Sequence, residues 1–90
     1  MPNRRIYKYE INDTVVTMPR GARVISAAEQ CGRIVVYAVI NIFAPLEHRM
    51  IAVIPTGDAP PPDYPALAEF IGTVQRSDGT VWHLFDLGEA

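Results

Sequence analysis

The sequence predicts an all-β domain: a single small antiparallel sandwich or barrel of about seven short strands. Three observations carry this. Asp78-Gly79 stands between two apolar runs, Phe70 to Val74 and Val81 to Phe85, which is a strong short-range signal for a hairpin closed by a type I′ turn with positive φ at both central residues. Polar and apolar residues alternate with the period of a strand in the first third of the chain. Turn-forming residues punctuate the remaining apolar runs at short intervals.

Arg5 to Glu10 alternates, with Tyr7 and Tyr9 on one side and Ile6, Lys8 and Glu10 on the other. Asn12-Asp13 is a turn pair, and Thr14 to Met18 is a second strand. Runs this close together predict an antiparallel hairpin. Pro19-Arg20-Gly21 ends the second strand, because proline gives no ladder hydrogen bond and glycine accepts a tight reversal. Arg23 to Gln30 alternates again. A helix is the rival reading there, through Ala-Ala-Glu-Gln, but the β-branched start and the tight turn at Cys31-Gly32 favour a strand.

Arg33 to Asn41 holds the unbroken apolar run Ile34 to Ile40, which predicts a central strand covered on both faces. Ala44 to His48 reads as a loop and Arg49 to Ile54 as another strand with apolar residues on both faces. Two such strands need two covers: the domain's own core and, as the second, a subunit interface. Pro55 to Pro65 is irregular, and Pro60-Pro61-Pro62 makes it a stiff extended crossover. Tyr64 to Ala68 is expected to form a short helical turn, and Gly88-Glu89-Ala90 a loose tail.

Ninety residues make one domain, spanning 1–90. Hydrophobic residues are 49% of the chain, too many for disorder, while charged residues at 20% fall short of the usual quarter. Apolar surface in excess of what one small core hides predicts a homo-oligomer; a monomer with a rich core is the competing reading. Net charge is −2, with 8 basic and 10 acidic residues, which argues against DNA binding through a broad basic surface. Basic residues weight the first half and acidic ones the second, a polarity suited to a small anion or to pairing with another copy.

Cys31 is the single cysteine, so the chain forms no internal disulfide, in keeping with a reducing cytoplasm. No signal peptide opens the sequence, and the run from Ile34 to Ile40 is too short to span a bilayer. The expected location is cytoplasmic, without membrane attachment.

Chemical motifs are sparse. His48 and His83 are the only histidines, and Asp86, three residues beyond His83 on a strand, points to the opposite face. Asp58 and Asp63 flank the proline stretch without a third group. No nucleophile elbow, Walker loop or dinucleotide fingerprint is present. These absences predict a protein without catalytic activity, metal or cofactor. Thr56-Gly57-Asp58 offers only backbone amides to an anion. Arg5 with Tyr7, and Arg49 with Trp82, are candidate guanidinium–aromatic pairs of the kind that hold nucleotides.

Taken together, Ile6-Tyr7-Lys8-Tyr9-Glu10-Ile11, Met18-Pro19-Arg20-Gly21-Ala22 and Gln30-Cys31-Gly32 resemble the opening of a large family of small all-β bacteriophage proteins. Those carry a Tyr-Lys-Tyr-Glu start, a Met-Pro-x-Gly-Ala corner and a Gln-x-Gly turn. Pro55-Thr56-Gly57, Phe70-Ile71-Gly72-Thr73 and Trp82 to Phe85 resemble its second half. The stretch around Pro60 to Pro62 departs from that pattern, in which a His-Pro pair follows the Thr-Gly. The resemblance implies a phage-encoded protein of the host cytoplasm. A narrower similarity, to phage anti-CBASS proteins, implies an oligomer that sequesters a cyclic nucleotide immune signal without catalysis. On that reading Arg5, Tyr7, Arg49, Thr56, Gly57 and Trp82 bind the ligand, arginines on phosphates and aromatics on bases. The alternative is a phage accessory module that binds a host or phage protein.

Overall fold

A computed structural model describes residues 3–90. Seven strands follow one another: β1 (Arg4–Glu10), β2 (Val15–Pro19), β3 (Arg23–Gln30), β4 (Arg33–Asn41), β5 (Leu46–Pro55), β6 (Glu69–Gln75) and β7 (Val81–Glu89). They form two antiparallel sheets, one ordered β1-β4-β3 and the other β2-β5-β7-β6. The all-β expectation holds, and the architecture is a two-sheet sandwich. Among the described residues no helix is long and apolar enough to cross a membrane.

Alternation along the strands places the core. Val16 and Met18 of β2, Val24 of β3, Val36, Ala38 and Ile40 of β4, Ile51 of β5, Val74 of β6 and Leu84 of β7 meet between the sheets. The run in β4 is indeed the centre of its sheet, and β5 is likewise an interior strand. Each has a second cover from within the chain. On the outer face of β4, Val35 is buried although it points away from the core. Lys8 donates to Gln30 across β4, and Arg33 grips Glu10 with two 3.0 Å hydrogen bonds, so polar side chains arch over it.

The outer face of the larger sheet is covered by the proline-rich crossover. β5 and β6 both pair antiparallel with β7 and therefore run parallel to each other on either side of it. The connection must then return along the full length of the strands. Residues 56–68 do so, and Tyr64 and Phe70 pack edge-on against Phe85 at centroid distances of 5.0 and 5.5 Å.

Five local expectations are corrected. The runs at Arg5–Glu10 and Thr14–Met18 are adjacent in sequence but do not form a hairpin: β1 pairs with β4 and β2 with β5, and residues 11–14 arch from one sheet to the other. Each apolar face finds its core only if the pair splits. Leu46 to His48 are strand, drawn into β5 by pairing with Thr17, Met18 and Pro19. Residues 64–68 are turns without a helix, fastened by a 2.6 Å bond from the Leu67 amide to the Asp63 carbonyl. Gly88 and Glu89 belong to β7, and Ala90 donates to the His48 carbonyl, so the tail is paired.

The fifth correction concerns the turns. Asp78-Gly79 does close a hairpin, but only Gly79 has positive φ, at 90°. The Gly79 amide reaches the Arg76 carbonyl and the Arg76 amide reaches the Thr80 carbonyl, the pattern of a type I turn with a glycine bulge. Two consecutive positive φ values occur instead at Cys31 (53°) and Gly32 (80°), the geometry of a two-residue type I′ hairpin.

One side of the sandwich is closed. β3 leans on β6, and Gly72 lies opposite Ala27, where an added Cβ would sit 3.8–3.9 Å from it. At the lower end Arg76 donates to the Gly32 carbonyl, and Glu29 accepts from the Ser77 amide and hydroxyl, locking the two hairpin turns together. The other side carries the edges of β1 and β2. A cleft of about 280 Å³ opens there, lined by Ile11, Asn12, Asp13, Thr14, Ile34, Ile51 and Val53.

Candidate functional site

The six residues singled out from sequence fall in three places. Arg5 and Tyr7 sit on β1, opposite Ile40 and Ala38, and share the face that looks toward the other sheet. Both are exposed, Tyr7 at 47%. Their placement on one face follows from the strand period, and the Arg5 Nη1 donates to the Arg4 carbonyl at 2.9 Å.

Arg49 lies elsewhere. It is inside the sandwich, 7% exposed, opposite Val16 of β2. Its Nη1 donates to Asp86 at 2.8 Å, its Nε to Glu47 at 3.2 Å and its Nη2 to the Ala22 carbonyl at 2.9 Å. The expected pairing with Trp82 is not formed: Arg49 faces Glu89 at one end of the β5–β7 ladder, and Trp82 faces Pro55 at the other. Two carboxylates already hold this guanidinium and would repel an incoming phosphate. Arg49 is thus a tie between sheets: Glu47 and Asp86 belong to the larger one, and Ala22 leads into β3 of the smaller.

Thr56, Gly57 and Trp82 gather at the lower end, where β5 turns into the crossover. The Thr56 amide donates to the Val81 carbonyl at 3.0 Å. Trp82 points inward and donates to the Thr80 hydroxyl at 2.8 Å, so its ring edge is fixed by its own hairpin. Gly57 has a φ of 105°, which only glycine adopts readily.

Sequence reasoning missed the partner that organises this corner. His83 lies on the outer face of β7 between Ile54 of β5 and Thr73 of β6. Its Nε2 is 2.7 Å from the Thr56 hydroxyl and its Nδ1 is 3.0 Å from the Thr73 hydroxyl. The imidazole clasps the first residue of the crossover to β6 across β7. Among the described residues the two threonine hydroxyls are the side chains bonded to the ring, and they make it a clasp between the crossover and β6. The only sequence signal was a threonine within β6 and another just past the end of β5, which becomes readable once strand order places both strands beside His83. As expected, Asp86 points to the other face, toward Arg49. Among the described residues no cluster of histidine, cysteine and acidic side chains is arranged to hold a metal.

A second type of surface has no hydrogen-bonding logic of its own. The turn joining β4 to β5 presents Phe43 at 79% exposure and Leu46 at 70%, with Ile42 beside them. Asn41 holds this turn by accepting from the Phe43 amide at 2.9 Å, and the Ile42 amide donates to the Asn3 carbonyl. β1 and the β2–β3 corner bring Arg4 and Arg20 to the same end: Arg4 pairs with Asn41, and Arg20 donates to the Pro45 carbonyl.

The chain belongs to the family described as domain of unknown function DUF7352, whose model matches residues 2–90. No curated protein and no solved structure matches it.

Proposed function

We propose that this chain is a non-catalytic binding module that recognises a protein partner through the apolar tip between β4 and β5. The observation that carries the reading is the exposure of Phe43 and Leu46 on a turn that is itself well held. A rigid turn that keeps two large apolar side chains in water exposes area that burial against a partner would stabilise, at about 25 cal/mol per Å². Arg4 and Arg20 at the rim suit a partner with acidic residues around an apolar pocket. The test is affinity capture from phage-infected cells with the native chain and with Phe43→Ser/Leu46→Ser. A stoichiometric polypeptide retained by the native chain and lost with the variant, both folded by circular dichroism, supports the reading. Recovery of the same polypeptide by both, or of none by the native chain, removes it.

A second reading is favoured by Arg5 and Tyr7 standing together on an exposed strand face. On that reading the chain is a phage anti-defence protein that sequesters a cyclic dinucleotide, Arg5 on phosphate and Tyr7 stacked on a base. Calorimetric titration against a panel of cyclic nucleotides tests it. Heat that vanishes in Arg5→Ala and Tyr7→Ala supports it, and no binding at tens of micromolar excludes those ligands.

A further inference from the structure

We infer that β1 pairs antiparallel with β1 of a second copy of this chain, about a twofold axis at Tyr7, joining the two small sheets into one. The pairing is independent of both readings above, because it is measured by mass and cross-linking with no ligand present.

The free edge of β1 is the starting point. The smaller sheet runs β1-β4-β3, so among the described residues no strand lies on the far side of β1. Open edges are usually blunted by bulges, prolines or a covering element. β3 and β6 carry bulges and lean on each other, and β2 is short and ends at Pro19. β1 has neither a bulge nor a proline along Arg4–Glu10.

The ladder with β4 fixes which backbone groups face outward. The Asn3 carbonyl accepts from the Ile42 amide, and the Ile11 amide donates to the Ile34 carbonyl. Both are odd positions in the register that pairs Arg4 with Asn41. Hydrogen-bonded pairs alternate along an antiparallel ladder, so odd residues of β1 bond to β4. The amides and carbonyls of Arg4, Ile6, Lys8 and Glu10 therefore point to the open edge. An antiparallel copy must match even residues with even ones.

Among such registers the one centred on Tyr7 overlaps the whole strand, and its side chains agree. Arg4 meets Glu10 of the partner subunit, an opposite-charge pair. Ile6 meets Lys8 of the partner subunit, whose aliphatic stem covers it while its ammonium is drawn away to Gln30. Arg5 meets Tyr9 of the partner subunit, a guanidinium over a phenol. Tyr7 meets Tyr7 of the partner subunit at the axis, as a non-hydrogen-bonded pair with close side chains. The match also gives Ile6, at 63% exposure, and Tyr7 a place out of water. Such an isologous contact closes on itself and ends at two copies. It sets Arg5, Tyr7 and Tyr9 from each copy on one continuous face.

Two measurements test the pairing. Light scattering with size exclusion at tens of micromolar is expected to give twice the 10.0 kDa chain mass. Ile6→Pro removes an amide that faces only the open edge, so it is expected to give the single-chain mass with an unchanged circular dichroism spectrum. A native chain at the single mass, or an Ile6→Pro chain still at the double mass, overturns the proposal. The second measurement uses Cys31→Ser as background and needs no proline. Tyr7→Cys places two thiols across the axis with Cα atoms about 4.5 Å apart, within disulfide reach. Ile6→Cys and Lys8→Cys face each other's positions and never themselves. Under mild oxidation Tyr7→Cys is expected to cross-link at least tenfold faster than either; equal rates overturn the register.

Discussion

Replacing Arg49 with methionine isolates the tie between the sheets. The side chain keeps its length and apolar stem but loses every donor. Asp86, its side chain 16% exposed, loses its cation, and Glu47, 9% exposed, keeps only the solvent-exposed Arg20 guanidinium at 3.8 Å. Breaking a buried ion pair by removing one partner costs about 3–5 kcal/mol, because the remaining charge has been taken out of water. A domain of this length holds roughly 5–13 kcal/mol at about 0.05–0.15 kcal/mol per residue, so the loss is a large share of the total. Each kcal/mol is worth about 4–8 °C in Tm at this size, which puts the fall at about 12 °C or more. Thermal unfolding by circular dichroism measures it. The triple variant Arg49→Met/Glu47→Gln/Asp86→Asn removes the stranded charges and keeps the Asp86 acceptor for the Gly88 amide, so it recovers part of the loss. A fall below about 4 °C for Arg49→Met, or a triple variant less stable than the single, would refute the reasoning.

Cys31→Asn puts a residue that tolerates the left-handed region at a φ of 53° and raises stability by up to about 1 kcal/mol, read from the urea midpoint. Gly72→Ala is close to neutral, since its Cβ meets Ala27 at ordinary contact distance, whereas Gly72→Leu pries β3 from β6 and lowers Tm sharply. Glu10 is held below its ordinary value of 4.5, chiefly by the Arg33 hydrogen bond. Its contribution is complete above that ordinary value and is lost as pH falls through the lower folded one. Glu10→Gln is therefore expected to lessen the loss of stability on acidification, measured by urea melts from pH 6 downward.

Period-two patterning and turn chemistry were legible because they act over a few residues. Ile34 to Ile40 announced a central strand, and Asp78-Gly79 a hairpin. The same locality explains the errors. Thr14 to Met18 looks like the return stroke of β1, yet it pairs with β5, because Val16 and Met18 complete a core built from the other sheet. Leu46 to His48 look like loop until β2 lies beside them. Of the candidate site, the Arg5–Tyr7 pair was visible from alternation alone. The clasp at His83 and the burial of Arg49 were not, because Thr56, Thr73 and Asp86 reach them only through strand order, and Glu47 shares a face with Arg49 only once residues 46–48 are strand.

By itself, then, the sequence determined that this is a chain of β-strands, where most of them break and which strand is most deeply covered. Those properties reside in side-chain period and backbone φ preference, which each short segment carries with it. Only the tertiary structure decided which strands are neighbours, and with that which charges are spent inside and which edge is left open. Pairing partners are selected by burying all the apolar faces at once, and that condition belongs to the whole chain.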